Sequence, residues 1–209
     1  MRDKKPGKII IISSPSGGGK TSICRRLLST ARRRRGWRFS VSYTTRAKRR
    51  GERHGREYFF IGEDEFHRLA RQGFFAEHFR VHLYRYGTPR KPIENVRRHG
   101  GVMLLDVDVK GAGKLKKEYP DAISIFVLPP SQIELRRRLK QRGTETAEQV
   151  RLRLVNALKE MRSFRKYGFD YVVVNKEFDK AVALVLGIVK AHGCRVDQTD
   201  PEQLYRITG

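Results

Sequence analysis

An isoleucine run, Ile9-Ile10-Ile11-Ile12, leads through Ser13 into Ser14-Pro15-Ser16-Gly17-Gly18-Gly19-Lys20-Thr21, and a helix-compatible segment begins at Ser22. No other stretch constrains the fold as strongly. A continuous β-branched run suits a strand covered on both faces, and such strands belong to parallel sheets with helices on each side. The three glycines let backbone N–H groups point inward with no Cβ in the way. A helix start directly after them adds free N–H donors and the positive end of a dipole. Together these parts form a cradle for phosphate, in which Lys20 reaches the β- and γ-phosphates and the Thr21 hydroxyl ligates Mg²⁺. The full pattern opens on glycine; here Ser14 stands in its place, and a positive φ there costs serine more than glycine.

Beyond the loop, strand-like and helix-like segments alternate, the pattern of an α/β fold with a parallel sheet wrapped by helices. Strands are predicted at Ile9–Ser13, Val102–Val107, Ala122–Val127 and Tyr171–Val174. Helices are predicted at Lys20–Ala31, Gly111–Glu118, Ser131–Arg142, Glu148–Phe164 and Phe178–His192. From about Trp37 to Arg98 this rhythm breaks, and the segment reads as an inserted β-rich subdomain with a helix at Glu63–Gln72 closed by Gly73. A second, smaller insertion spans about residues 141–153. The expected organisation is one domain over residues 1–209, with a core of 1–36, 99–140 and 154–193, the two insertions at 37–98 and 141–153, and a polar tail at 194–209.

Composition narrows the function. The chain has 209 residues, 38% of them hydrophobic, enough for one large domain with its own core. A formal charge of +24 attracts polyanions: nucleotides, nucleic acid or anionic membrane. Nothing reaches the ~18 apolar residues that span a bilayer, so no membrane association is expected. Cys24 and Cys194 are the only cysteines, too few for a metal cluster or a disulfide framework, which suits a reducing cytoplasm. Cys24 shares an apolar helix face with Ile23, Leu27 and Leu28 and reads as a packed thiol. The run Arg32-Arg33-Arg34-Arg35-Gly36-Trp37-Arg38 mixes basic and aromatic residues, so non-specific contact with nucleic-acid backbones is an alternative use of the charge.

Four further groups carry chemistry. Ser42, Arg46 and Arg49, with Tyr58 downstream, supply guanidinium forks and hydroxyls suited to a second phosphate, although a solvated basic hairpin has the same composition. Glu77 with Tyr86-Gly87-Thr88 offers a carboxylate to a base edge bearing adjacent N–H donors; guanine N1 and N2 present such an edge and adenine does not. Asp106 and Asp108 end a buried strand on one side of the sheet, where a cation, a lysine or a base edge is needed to offset burial; helix capping is the plainer alternative. Arg138, Arg142 and Arg153 flank the smaller insertion, placed to neutralise a transferring phosphoryl group or simply to solvate a helix face.

Taken together, the chain resembles the guanylate kinases, phosphate-loop nucleoside monophosphate kinases, from about Ile9 to about Val189. Ser14–Thr21, Ser40–Arg46, Tyr86-Gly87-Thr88, Leu105–Asp108, Leu128–Ser131 and Arg142-Gly143-Thr144 carry the likeness. The resemblance implies a core, a GMP-binding insertion and a lid, with ATP and GMP as substrates and Mg²⁺ as cofactor. It implies that residues Ser14, Pro15, Ser16, Gly17, Gly18, Gly19, Lys20, Thr21 and Ser22 hold ATP, with Asn175 near the adenine. Ser42, Arg46, Arg49, Tyr58 and Tyr86 would hold the GMP phosphate, and Glu77, Thr88 and Asp108 would read guanine. Thr21 would ligate Mg²⁺, with Asp106 behind it; Lys20, Arg46, Arg138, Arg142 and Arg153 would stabilise the transferring group. The chain departs from the family at Lys48, Leu83-Tyr84-Arg85, Lys110 and Lys176. A family member that only binds, or a kinase acting on a phosphorylated sugar, is the rival reading; the intact glycine loop with Lys20 opposes the first and Glu77 with Thr88 the second.

Overall fold

The isoleucine run is the centre strand of a five-stranded parallel sheet. The computed structural model describes residues 6–31, 36–81, 83–141 and 147–195. In chain order the elements are β1 (Lys8–Ser13), α1 (Lys20–Ala31), β2 (Trp37–Phe39), β3 (Tyr43–Thr44), β4 (Phe59–Phe60), α2 (Glu63–Arg71), β5 (Phe75–Val81), β6 (Tyr84–Pro89) and α3 (Arg90–His99). They continue as β7 (Val102–Asp106), α4 (Val109–Glu118), β8 (Ile123–Leu128), α5 (Gln132–Lys140), α6 (Ala147–Ser163), β9 (Tyr171–Val174) and α7 (Phe178–His192). The large sheet runs β2-β7-β1-β8-β9. Because β7 and β8 pair with opposite edges of β1, the sheet has a switch point at the carboxyl end of β1, where ligands of open α/β sheets sit.

The period of two explains why four isoleucines stand in a row. Ile10 and Ile12 face one layer, packing with Ile23 and Leu27 of α1 and Ala181, Val185 and Val189 of α7. Ile9 and Ile11 face the other, against Ile93 and Val96 of α3, Ala112 and Leu115 of α4, and Tyr119 just past α4. All four are at most 2% exposed, and burying each side chain contributes roughly 1.5–3 kcal/mol. Cys24 is buried in the first layer as a free thiol.

A second sheet is ordered β4-β3-β6-β5, and it shares a cavity with the residues at the carboxyl end of β7. Its own apolar cluster is largely aromatic. Phe66 stacks on Phe75 with ring centroids 4.7 Å apart, and Tyr43 stacks on Phe59 at 4.6 Å. Leu69 and Phe74 complete the contact with α2. Gly73 takes φ +67° just past the helix, the left-handed turn expected of it.

Two boundaries of the insertion need correction. Trp37 to Phe39, placed in the insertion by sequence, forms the edge strand of the large sheet, paired in parallel with Val102 to Leu104. The alternation Trp37-Arg38-Phe39 is a strand signal that the surrounding arginines obscure. Helix α3, also placed in the insertion, buries Ile93 and Val96 in the core against β1 and β7. The smaller sheet therefore occupies Tyr43 to Pro89. Helix α5 ends at Lys140, short of the expected Arg142; Arg142, Gly143 and Thr144 lie outside the described residues, as do Arg32 to Arg35 and the tail from Val196.

Candidate active site

Glycine is required in the loop for two different reasons. Gly17 and Gly19 adopt φ of 86° and 96°, a region costly for other residues. At Gly19 a Cβ would also lie 2.3 Å from Asn175 Nδ2. Ser14, at the position usually held by glycine, is buried, and its hydroxyl donates to the Pro15 carbonyl at 3.1 Å. Contacts from outside pin the loop. Asn175 follows β9 directly, so strand pairing sets its position, and its Nδ2 donates to the Gly18 carbonyl at 3.0 Å. Arg138 of α5 donates to the Asn175 carbonyl at 3.0 Å and is steadied by Glu134 at 2.7 Å. Asn175 thus lies against the loop backbone, with Arg138 beside it.

Lys20 opens α1 and faces the end of β7. Its Nζ lies 2.7 Å from Asp106 and donates to the Val107 carbonyl at 2.8 Å. Thr21, exposed on the first turn like Ser22, donates to the other Asp106 oxygen at 3.2 Å. Burial alone would pull the Lys20 ammonium down, but the ion pair with Asp106 outweighs it and holds the pKa above that of ordinary lysine. Asp106 therefore has the lysine partner that its burial calls for.

A cavity opens between the two sheets. Ser42, Tyr58, Glu77, Phe79 and Tyr86 line it from the smaller sheet, and Lys20, Asp106 and Asp108 line it from the core. Lys20 thus borders both the loop and this cavity. Alternation along β5 places Glu77 and Phe79 on one face, and the antiparallel register sets Glu77 opposite Thr88. Thr88 donates to Glu77 Oε1 at 2.6 Å. Glu77 Oε2 is buried and has no hydrogen-bond partner among the described residues. Burial pushes the carboxyl up to about 7; the Thr88 hydrogen bond opposes this, and the nearby Asp108 reinforces it. Asp108 serves in two ways: it caps α4 by accepting from the Gly111 N–H at 2.7 Å, as the plainer alternative has it, while also lining the cavity.

Arg46 is 8% exposed and held in place. Its Nη2 donates to both oxygens of Glu52 at 2.8 and 3.0 Å, and its guanidinium lies 5.6 Å from the centre of the Tyr58 ring. Arg49 stands apart: it is exposed, and its backbone N–H donates to the same Glu52 at 2.9 Å. Arg153 is half-buried on α6. Three residues of the site were not assigned from sequence. Glu52, which orients Arg46, was signalled only as a carboxylate within a basic run. Phe79 lines the cavity and stacks on Tyr86 with 19° between ring planes; the alternation Glu77-His78-Phe79 pointed to it. Glu160 of α6 accepts from the Ser16 N–H at 3.3 Å, and no local motif marks it.

A glycine loop at the switch point of a parallel sheet, with a lysine–carboxylate pair and a second polar cavity alongside, defines a nucleotide-binding protein of the phosphate-loop class. The family model for guanylate kinase matches residues 6–192, and the chain belongs to that family. The guanylate kinase of Caldanaerobacter subterraneus subsp. tengcongensis is 40% identical over 198 residues, covering 95% of this chain and 94% of its own. That of Symbiobacterium thermophilum is 44% identical over 195 residues, covering 93% and 90%. The crystal structure of guanylate kinase from Anaplasma phagocytophilum superposes with a TM-score of 0.77 at 32% identity, covering 96% of this chain and 93% of the other.

Proposed function

We propose that the protein transfers the γ-phosphoryl group of ATP to GMP, giving ADP and GDP. The observation that carries the choice of acceptor is Glu77: a buried carboxylate with one oxygen tied to Thr88 and the other unpartnered at a cavity next to the phosphate loop. An unmet buried acceptor costs ~1–3 kcal/mol. Guanine N1–H and N2–H₂ supply adjacent donors that remove that cost, and adenine presents none at that edge.

The acceptor phosphate is already ionised at neutral pH, so the reaction needs no general base. An oxygen of GMP attacks the γ-phosphorus, the bond to the β–γ bridging oxygen breaks, and its electron pair leaves with ADP. Rate then comes from alignment and from charge neutralisation. Lys20, bordering both sites, neutralises the donor phosphates. Arg46, next to the Tyr58 ring, holds the acceptor phosphate together with the cavity-lining Ser42, Tyr58 and Tyr86, and Arg49 approaches from its exposed turn. Arg138, beside the loop through Asn175, adds positive charge, and the family resemblance assigns the same role to Arg142 and Arg153.

The Thr21 hydroxyl and the Asp106 carboxylate, 3.2 Å apart at the loop, are hard oxygen donors of the kind that suits Mg²⁺, which keeps several waters and takes one or two protein oxygens besides phosphate. Mg²⁺ held there by the Thr21 hydroxyl, with Asp106 behind it, would supply positive charge to offset that of the donor phosphates. Among the described residues no helix is long and apolar enough to cross a membrane. The free Cys24 and Cys194 support a cytoplasmic location.

The test is ADP release from ATP with GMP, dGMP, AMP, UMP and CMP as acceptors. GMP is expected to exceed AMP by at least about 100-fold, the range that unpaired buried polar groups impose. Equal turnover of AMP, or none of GMP, overturns the reading.

A further inference from the structure

We propose that Glu160 competes with the phosphates of ATP for the Ser16 N–H and so sets how tightly the donor nucleotide binds. The proposal rests on the reading of the loop as the ATP site and adds a residue that neither the motif nor the family pattern assigned.

The argument begins with helix geometry. Ala157, Glu160 and Met161 lie at i, i+3 and i+4 on α6, hence on one face. Ala157 and Met161 pack on Leu135 and Leu139 of α5. Those two leucines sit where a Cβ on Gly17 would meet them, at 3.0 and 3.1 Å. The same packing that seats α5 and α6 on the loop therefore delivers the Glu160 carboxylate to the Ser16 N–H, 144 positions away in sequence, at 3.3 Å. Ser16 belongs to the turn whose amides are suited to phosphate oxygens. One N–H cannot satisfy two anions, and a carboxylate at that distance repels a polyphosphate in a low-dielectric setting. Burial raises the Glu160 pKa and Asp108 reinforces this, while the Ser16 hydrogen bond and the charges of Lys20 and Lys110 oppose it. Glu160 touches no reacting atom, so it acts as a positioning residue: it holds the loop amide and α6 together until phosphate takes the amide.

The variants are Glu160→Gln and Glu160→Ala, compared with the wild-type protein by calorimetric titration with ATP and with tripolyphosphate, a probe without adenine. Both variants are expected to bind both probes about 5- to 10-fold more tightly, because a like charge is removed from the phosphate site. The KM for GMP should stay within about two-fold, since the acceptor cavity is untouched. A purely structural role predicts the opposite sign: weaker ATP binding together with a lower melting temperature. Unchanged or weaker ATP binding by Glu160→Gln at an unchanged melting temperature overturns the assignment while leaving the kinase reading intact. Wild-type protein that binds neither ATP nor tripolyphosphate overturns both.

Discussion

The phosphate loop and the cavity between the sheets are built on opposite principles. In the loop, polar groups find partners within the protein: Lys20 and Thr21 share Asp106, Asn175 holds the Gly18 carbonyl, and Arg138 holds Asn175. Its geometry is fixed by backbone and buttress alone. In the cavity, Glu77 keeps one oxygen without a partner; next to it, behind the lining residue Tyr58, Arg46 is oriented by Glu52. The loop is prepared for any polyphosphate. The cavity holds an unpartnered buried acceptor, which on the proposed reading a matching base satisfies. Preorganisation thus serves catalysis on one side and discrimination on the other.

The sharpest way to break this contrast is Lys20→Ala. The ammonium borders both sites, so its loss should lower kcat by at least about 1,000-fold, as expected when a main phosphate-neutralising charge is removed. The side chain is partly exposed, and the circular dichroism spectrum should remain that of the wild type. Retained activity would remove the loop lysine from the mechanism.

Glu77→Gln should separate the two sites. A hydrogen bond to a charged group contributes ~1.5–3 kcal/mol, so the KM for GMP should rise about 10- to 100-fold while the KM for ATP stays within two-fold. Equal changes in both would mean that Glu77 holds the fold and does not read the base.

The same residue predicts a pH effect. With a pKa of about 7, Glu77 becomes protonated as pH falls below 7 and loses its value as a double acceptor. The KM for GMP should therefore climb toward ten-fold per pH unit below 7, the limit for a single proton, with no matching trend in the KM for ATP. Stability has its own sign. The folded-state pKa lies above the ordinary glutamate value, so the stability tied to this group is present below about 4.5 and is lost as pH rises through about 7. Glu77→Gln should remove that part of the slope in thermal melts between pH 4.5 and 8.

Sequence revealed the core more fully than the cavity, and for a physical reason. A strand buried on both faces and a glycine loop are local patterns: Ile9–Ile12 and Gly17–Lys20 read directly as structure. Chemistry assembled across distant segments reads less well. Glu77 and Thr88 group by their chemistry alone; what sets them opposite each other is the antiparallel pairing of β5 with β6. Glu52 was obscured by the arginines around it, and Glu160 reaches Ser16 only through packing of α5 on α6, which has no short-range signature. Likewise, Trp37–Phe39 were too few residues in too basic a setting to declare themselves a core strand.

The smallest expected effect tests whether the loop depends on its buttress. Asn175→Ala removes the donor to the Gly18 carbonyl without touching any glycine or Lys20. The carbonyl is left buried with one partner fewer, at a cost of about 1 kcal/mol. If contacts outside the loop fix its shape, the amides will sample orientations unsuited to phosphate, and the KM for ATP should rise about 3- to 5-fold with that for GMP unchanged. Asn175 sits one residue past β9, far along the chain from the loop that it holds, so its loss should be felt through the sheet rather than through α1. Separate KM measurements for the two substrates decide it: an unaltered ATP value would show that the glycine backbone holds its shape unaided, and that the contrast between the two sites lies in the loop sequence itself.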